Sequence, residues 1–213
     1  AGGSGGRASH GLRIAVHVGA GTAAKSWPAE RWRALVGRLV ERFQAEVVLV
    51  GSSSDGTIAR AILGPRPRAG VIDGTGRLGL VELAAALEQA DLFVGADSGP
   101  AHLAAAVGTP AVVLFSGTNN PRQWQPCGEH VDVVRHPVEC SPCHRQCCGL
   151  PDHPCMRGLT PGQVAEAVEQ AFRRAALASG QCMVRGVALA SGQCMGRSTG
   201  KMPVPTTNQN DTR

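Results

Sequence analysis

The sequence predicts an α/β domain built on a mainly parallel sheet. Three observations carry that prediction. Strand-like and helical runs alternate along the chain. The strand Glu46–Val50 (EVVLV) lacks polar alternation, as strands buried on both faces do. Loops of small or polar residues at 19–25, 51–55, 97–102 and 116–120 all follow strands, so they gather at the carboxyl edge of the sheet, where such folds bind ligands.

Element by element, residues 12–18 (LRIAVHV) are β-branched and alternate, a strand. Pro28 opens an amphipathic helix to about Phe43, with proline near the first helical position. After the strand at 46–50, the loop 51–56 (GSSSDG) leads into a short helix to about Leu63. Val71 and Ile72 mark a third strand, 80–89 a helix and 92–96 (LFVGA) a fourth strand. The turn at 97–99 enters a helix reaching about Val107; strands follow at 111–115 and 131–134. After Pro137 the pattern breaks into a Cys-rich loop, 137–158. Thr160 then caps a last helix that runs from Pro161 to about Ala176.

The ends read differently. Residues 1–11 (AGGSGGRASHG) look like a linker or a cut end, so the chain reads as the back part of a longer protein. Residues 177–213 read as a disordered tail rich in Gly, Ser, Thr, Pro and Asn. An ALASGQCM repeat at 176–183 and 188–195 opens it. The folded part is expected at 12–176.

Charge excludes one class of function. Residues 1–172 carry 15 Lys and Arg against 15 Asp and Glu, so the net +5 of the 213 residues belongs to the last 41. A neutral domain, in a chain with 3% aromatic residues, is no nucleic-acid platform. No apolar run is long enough to span a bilayer.

Two loops carry candidate chemistry. In GADSGPAHLAAAVGTPAVVLF, from Gly95 to Phe115, a buried strand ends in Asp97-Ser98-Gly99-Pro100 and a helix starts at once. The free N–H groups of a first helical turn, and the helix dipole, hold anions such as phosphate. Gly99 admits a phosphate close to the backbone, Ser98 offers a hydroxyl, His102 lies in the first turn, and Asp97 can accept from a sugar. An ordinary N-cap at Asp97 or Ser98 explains the same letters. In HVGAGTAAKSWP, from His17 to Pro28, Lys25 supplies a point charge and Thr22 a hydroxyl for a second phosphate grip. A solvated surface lysine is the plainer reading of Lys25. The Walker A pattern is absent, and no GxGxxG follows the first strand.

Taken in order, His17-Val18-Gly19, Lys25-Ser26-Trp27-Pro28, Asp97-Ser98-Gly99-Pro100-Ala101-His102-Leu103 and Phe115-Ser116-Gly117-Thr118 resemble glycosyltransferase family 9, the ADP-heptose:lipopolysaccharide heptosyltransferases. The resemblance runs from about Leu12 to Phe172. It implies a GT-B enzyme, two Rossmann-like domains with the active site between them. This chain would be the C-terminal, donor-binding half. It implies donor-phosphate contacts from Lys25 and the turn Ser98, Gly99, Pro100 and His102, with Asp97 near the donor sugar and Thr22 in the same loop. Asp55 matches an acidic position that holds the ribose, although a helix N-terminal acid serves as well there. Leu78 falls where backbone meets adenine.

The implied reaction is inverting glycosyl transfer with no required cofactor. Its partners are a nucleotide-diphosphate sugar, ADP-heptose favoured, and a lipid-linked saccharide acceptor. The implied place is the cytoplasm, at the inner face of the cytoplasmic membrane. The family's general base sits in the N-terminal acceptor domain, which this sequence lacks, so no catalytic residue is assigned and the chain is expected to bind donor without turnover. A non-catalytic nucleotide-sugar module or a degenerate fragment is the alternative.

Cys140, Cys143, Cys147 and Cys155 form the last constellation, with Cys148, His144 and His153 close by. A CxxC with two further cysteines can hold structural zinc or an Fe–S cluster; reduced thiols or disulfides are the other readings. A metal-dependent regulatory protein built on this cluster is a third hypothesis.

Overall fold

The computed structural model describes residues 11–65 and 68–179. Six strands form one parallel sheet: β1 (Arg13–His17), β2 (Glu46–Val50), β3 (Val71–Asp73), β4 (Leu92–Ala96), β5 (Ala111–Phe115) and β6 (Val131–Arg135). Their order is β3-β2-β1-β4-β5-β6. The order reverses between β1 and β4, and a doubly wound sheet opens its ligand crevice at that reversal.

The helices are α1 (Ala29–Phe43), α2 (Gly56–Leu63), α3 (Leu80–Glu88), α4 (Gly99–Ala106), α5 (Pro121–Trp124), α6 (Pro154–Arg157) and α7 (Pro161–Ser179). Strand periodicity sorts the core into two layers. Ile14 and Val16 of β1 face the layer that holds Trp32, Leu35 and Leu39 of α1 and Val164 and Val168 of α7. Ala15 faces the other, with Phe93, Phe115, and Ala101 and Ala104 of α4. Alanines at those positions let α4 lie close on the sheet.

The predicted elements form with ends shifted by a residue or two. The last helix runs to Ser179 rather than about Ala176, because Ala-Leu-Ala-Ser at the head of the repeat keeps good helix formers in place. The rest of the expected tail, like the expected linker at 1–10, lies outside the described residues. α5, α6 and two single turns, Ala23–Lys25 and Ser53–Asp55, go unpredicted, being too short to show a helical period. Among the described residues no helix is long and apolar enough to cross a membrane.

Candidate functional site

The site is assembled where the strands end. β4 delivers Asp97 into the crevice with only 4% of its surface exposed. Its Oδ2 accepts from Lys25 Nζ at 2.7 Å and from Asn119 Nδ2 at 2.8 Å, while Lys25 Nζ also lies 3.4 Å from the Asp97 carbonyl oxygen. Lys25 is thus no free surface lysine: its side chain is 20% exposed and held across the crevice. Sequence reading had singled out both residues but not their pairing. It had also passed over Asn119, in a loop noted only as following a strand.

Ser98 stands at the N-cap of α4 in extended backbone, yet its side chain does not cap the helix. Its Oγ lies 2.9 Å from the Ala96 carbonyl and 3.1 Å from His17 Nδ1. The capping alternative for Ser98 therefore does not hold. A Cβ built at Gly99 would meet nothing within 4 Å, so open space adjoins the helix start. Pro100 is half-buried in the first turn, and His102 is exposed one residue beyond buried Ala101. Thr22 Oγ1 is buried without a hydrogen-bond partner, an arrangement that ordinarily costs about 1–3 kcal/mol.

Asp55 closes the turn Ser53–Asp55 after β2. Its Oδ2 accepts from the Ser52 N–H at 2.7 Å and Ser52 Oγ at 2.8 Å, a local capping box. Two glycines make room for the carboxylate. A Cβ at Gly19 would collide with Asp55 Oδ1, and one at Gly51, where φ is +153°, would fall 2.6 Å from Oδ2. Asp55 thus serves as an acid in its own turn and also faces the end of β1. Leu78 is half-buried in the loop after β3. That loop leans on the Asp55 turn, since Gly76, at φ +69°, approaches Ser53 too closely for any side chain.

His17 ends β1 between these groups, 6% exposed, with Nε2 3.9 Å from Asp55 Oδ2. Burial lowers its pKa below the ordinary histidine value, and the Asp55 charge offsets that only in part. The ring is neutral at pH 7. Sequence reading used His17 only as part of a motif; a histidine at the tip of an otherwise apolar strand was the available signal.

The Cys-rich segment is a strap. The Ala24 N–H donates to the Gln146 carbonyl at 2.8 Å, and His153 Nε2 lies 3.0 Å from the Ala24 carbonyl. On the other side, the Cys143 and His144 N–H groups donate to the Gly117 and Thr118 carbonyls at 2.9 and 3.0 Å. The segment ties the Lys25 loop to the loop after β5.

The expected metal set of Cys140, Cys143, Cys147 and Cys155 is not assembled. Among the described residues, no three His, Cys, Asp or Glu side chains gather so as to hold a metal ion. Cys155 is buried, packed beside Gly117, whereas Cys140 and Cys147 are exposed. The Cys140 and Cys148 thiols do lie close enough to act electrostatically on Cys155.

Burial also pushes the Cys155 thiol pKa up, so little thiolate forms there at neutral pH. Alkylation with iodoacetamide at pH 7.5, read by peptide mass mapping, is expected to label Cys127, Cys140 and Cys147 well before Cys155. Equal rates at Cys155 and Cys140 would contradict this packing.

The sequence model of glycosyltransferase family 9 (heptosyltransferase) matches residues 10–153. Lipopolysaccharide heptosyltransferase 3 of Escherichia coli K12 is 33% identical over 112 residues, 50% of this chain and 31% of that protein. The structure of E. coli ADP-heptose lps heptosyltransferase II superposes with a TM-score of 0.67 at 24% identity, over 80% of this chain and 49% of that one. An iron-containing dodecameric glycosyltransferase from enterotoxigenic E. coli gives 0.62 at 20% identity, over 81% and 48%. At these identities the structural likeness is one of fold. The chain spans about half the length of the solved proteins it matches, and less of the curated relative.

Proposed function

Because the chain belongs to glycosyltransferase family 9, we propose that its strand-end crevice is the donor site of a heptosyltransferase, and that residues 12–179 form the donor half of the enzyme. The observation that carries this reading is the meeting of Lys25, Asp97 and the uncapped start of α4 at the point where the strand order reverses.

Each part has a task in inverting transfer from a nucleotide-diphosphate sugar. Negative charge grows on the departing diphosphate as the sugar passes through an oxocarbenium-like state. Lys25, the first-turn N–H group at Gly99, Ser98 Oγ and the unpartnered Thr22 Oγ1 are donors for that charge. His102, exposed in the same turn, adds another. Asp55 accepts from the ribose hydroxyls, and Leu78 lies against the base. Asp97 holds Lys25 in position and faces the sugar.

ADP-heptose is the donor we favour, and a lipid-linked saccharide of the lipopolysaccharide-core type the acceptor, met at the inner face of the cytoplasmic membrane. We assign the base that deprotonates the acceptor hydroxyl to a separate acceptor domain. Support comes from the match, which covers about half of the solved heptosyltransferase. No metal enters this scheme.

Calorimetric titration of the 213-residue chain with ADP, UDP, GDP and ADP-heptose tests the reading. Selective binding of ADP and ADP-heptose is expected, falling more than about tenfold in Asp97→Ala, which removes a charged hydrogen-bonding group. Absence of binding to all four ligands would overturn it.

A further inference from the structure

His17 is the buried titratable group that the donor-site reading leaves without a task. Its two ring nitrogens address two different parts of the crevice. Nδ1 lies 3.1 Å from Ser98 Oγ, at the start of α4. Nε2 lies 3.9 Å from Asp55 Oδ2, in the turn after β2. The ring is fixed from behind: Gly95 of β4, paired with His17, would place a Cβ 3.2 Å from the His17 Cβ and into the Phe93 ring.

The proton count makes this a link rather than a mere contact. Ser98 has one hydroxyl proton and two acceptors in reach, the Ala96 carbonyl at 2.9 Å and His17 Nδ1. With the imidazole proton on Nδ1, the ring donates to Ser98 Oγ and Ser98 keeps its own proton for another acceptor. With the imidazole proton on Nε2, the ring turns that N–H toward Asp55, and Nδ1 becomes a second acceptor for the Ser98 hydroxyl. With Nδ1 as a donor, only the Ala96 carbonyl competes with an incoming phosphate oxygen for the Ser98 proton.

We propose that His17 is a positioning residue of the donor site: with its proton on Nδ1, its imidazole donates to Ser98 Oγ and so aims the Ser98 hydroxyl proton at the diphosphate end of the ligand. The inference rests on the donor-site reading given above. His17 touches neither end of the ligand; it acts through Ser98, and its effect on affinity runs through that hydroxyl.

A double-mutant cycle on the full chain tests this, with ADP as the probe and thermal melting to confirm folding. Ser98→Ala and His17→Ala are each expected to weaken ADP about tenfold, the size of a lost hydrogen bond on a charged ligand. The double variant should fall about ten- to twentyfold, well short of the hundredfold that independent effects give. His17→Asn carries an amide near the Nδ1 position and should stay within about threefold of wild type. His17→Gln reaches toward Nε2 instead and should not restore affinity.

Additive losses, or ADP affinity unchanged in His17→Ala, would overturn the inference while leaving the donor site standing. If His17→Ala does not fold, His17→Asn against His17→Gln decides: equal affinities sink the link. A wild-type chain that binds no ADP removes the donor-site reading itself, and this inference with it.

Discussion

Lys25→Ala is expected to lower the unfolding free energy by about 2–3 kcal/mol and to remove measurable ADP binding. Asp97 is almost wholly buried, and its Oδ2 has two side-chain donors, Lys25 and Asn119. Taking one partner from a fully buried ion pair typically costs about 3–5 kcal/mol, because a charge is left in low dielectric. The figure is reduced here since the Lys25 side chain is 20% exposed, so water reaches the space an alanine would leave. A domain of this size loses roughly 2–4 °C of melting temperature per kcal/mol, so a drop of about 5–10 °C is expected.

The reverse truncation is milder. Asp97→Asn keeps an acceptor for Asn119 and leaves a lysine that can reach water, so a cost nearer 1 kcal/mol is expected. The order is the informative part. The cation of this pair carries more of the stability than its exposure suggests, and it is also the group offered to the diphosphate. Thermal melts and calorimetry on the two variants check both halves. A Lys25→Ala protein melting within a degree of wild type would show that water solvates Asp97 in the folded state, against the burial described.

How much of this was legible in the letters depends on the range of the interactions. EVVLV announces a strand by its lack of polar alternation, although β2 is buried fully on one face only, with Glu46 and Val48 half-buried on the other. Pro28 and Thr160-Pro161 announce helix starts, because capping is local. Asp97, Ser98 and Gly99 could be marked as a candidate turn for the same reason. Pairing was not legible. Lys25 and Asp97 are 72 residues apart, and Asn119 joins them from a third loop.

The cysteines mark the limit most clearly. The spacing of Cys140, Cys143, Cys147 and Cys155 suits a metal, yet spacing along the chain does not fix where side chains point. Here the backbone of 143–146 is engaged in hydrogen bonds to two neighbouring loops, and Cys155 has gone into the core. What looked like a ligand set is a strap whose bonds are mostly main-chain, which residue identities do not reveal. The glycines tell the opposite story. Gly19 and Gly51 are ordinary loop residues in the sequence, and only the fold shows that both stand aside for the Asp55 carboxylate.

Trp27→Ala is expected to have the larger effect on stability, about 3–5 kcal/mol, with a melting temperature lowered by roughly 10 °C or more. Trp27 is 2% exposed and meets Trp32 edge to face with ring centroids 4.8 Å apart. Its indole N–H donates to the Leu159 carbonyl at 3.2 Å, binding the Lys25 loop to the segment before α7. Alanine removes the ring, the edge-to-face contact and that bond at once.

Trp27→Phe separates these contributions. It keeps most of the apolar volume, and the Leu159 carbonyl retains Arg31 Nη1 as a donor, so no buried acceptor is orphaned. A cost of about 1–2 kcal/mol is expected. Because Trp27 lies two residues after Lys25, the ring that fills the core also sets where the ammonium stands. ADP affinity should therefore fall in Trp27→Ala even at temperatures where the variant remains folded, although no group that touches ligand has been removed. Circular dichroism melts paired with titration below the transition measure both. A folded Trp27→Ala chain that binds ADP as tightly as wild type would mean that the Asp97 contact alone positions Lys25, and that the tryptophan serves the core and nothing else.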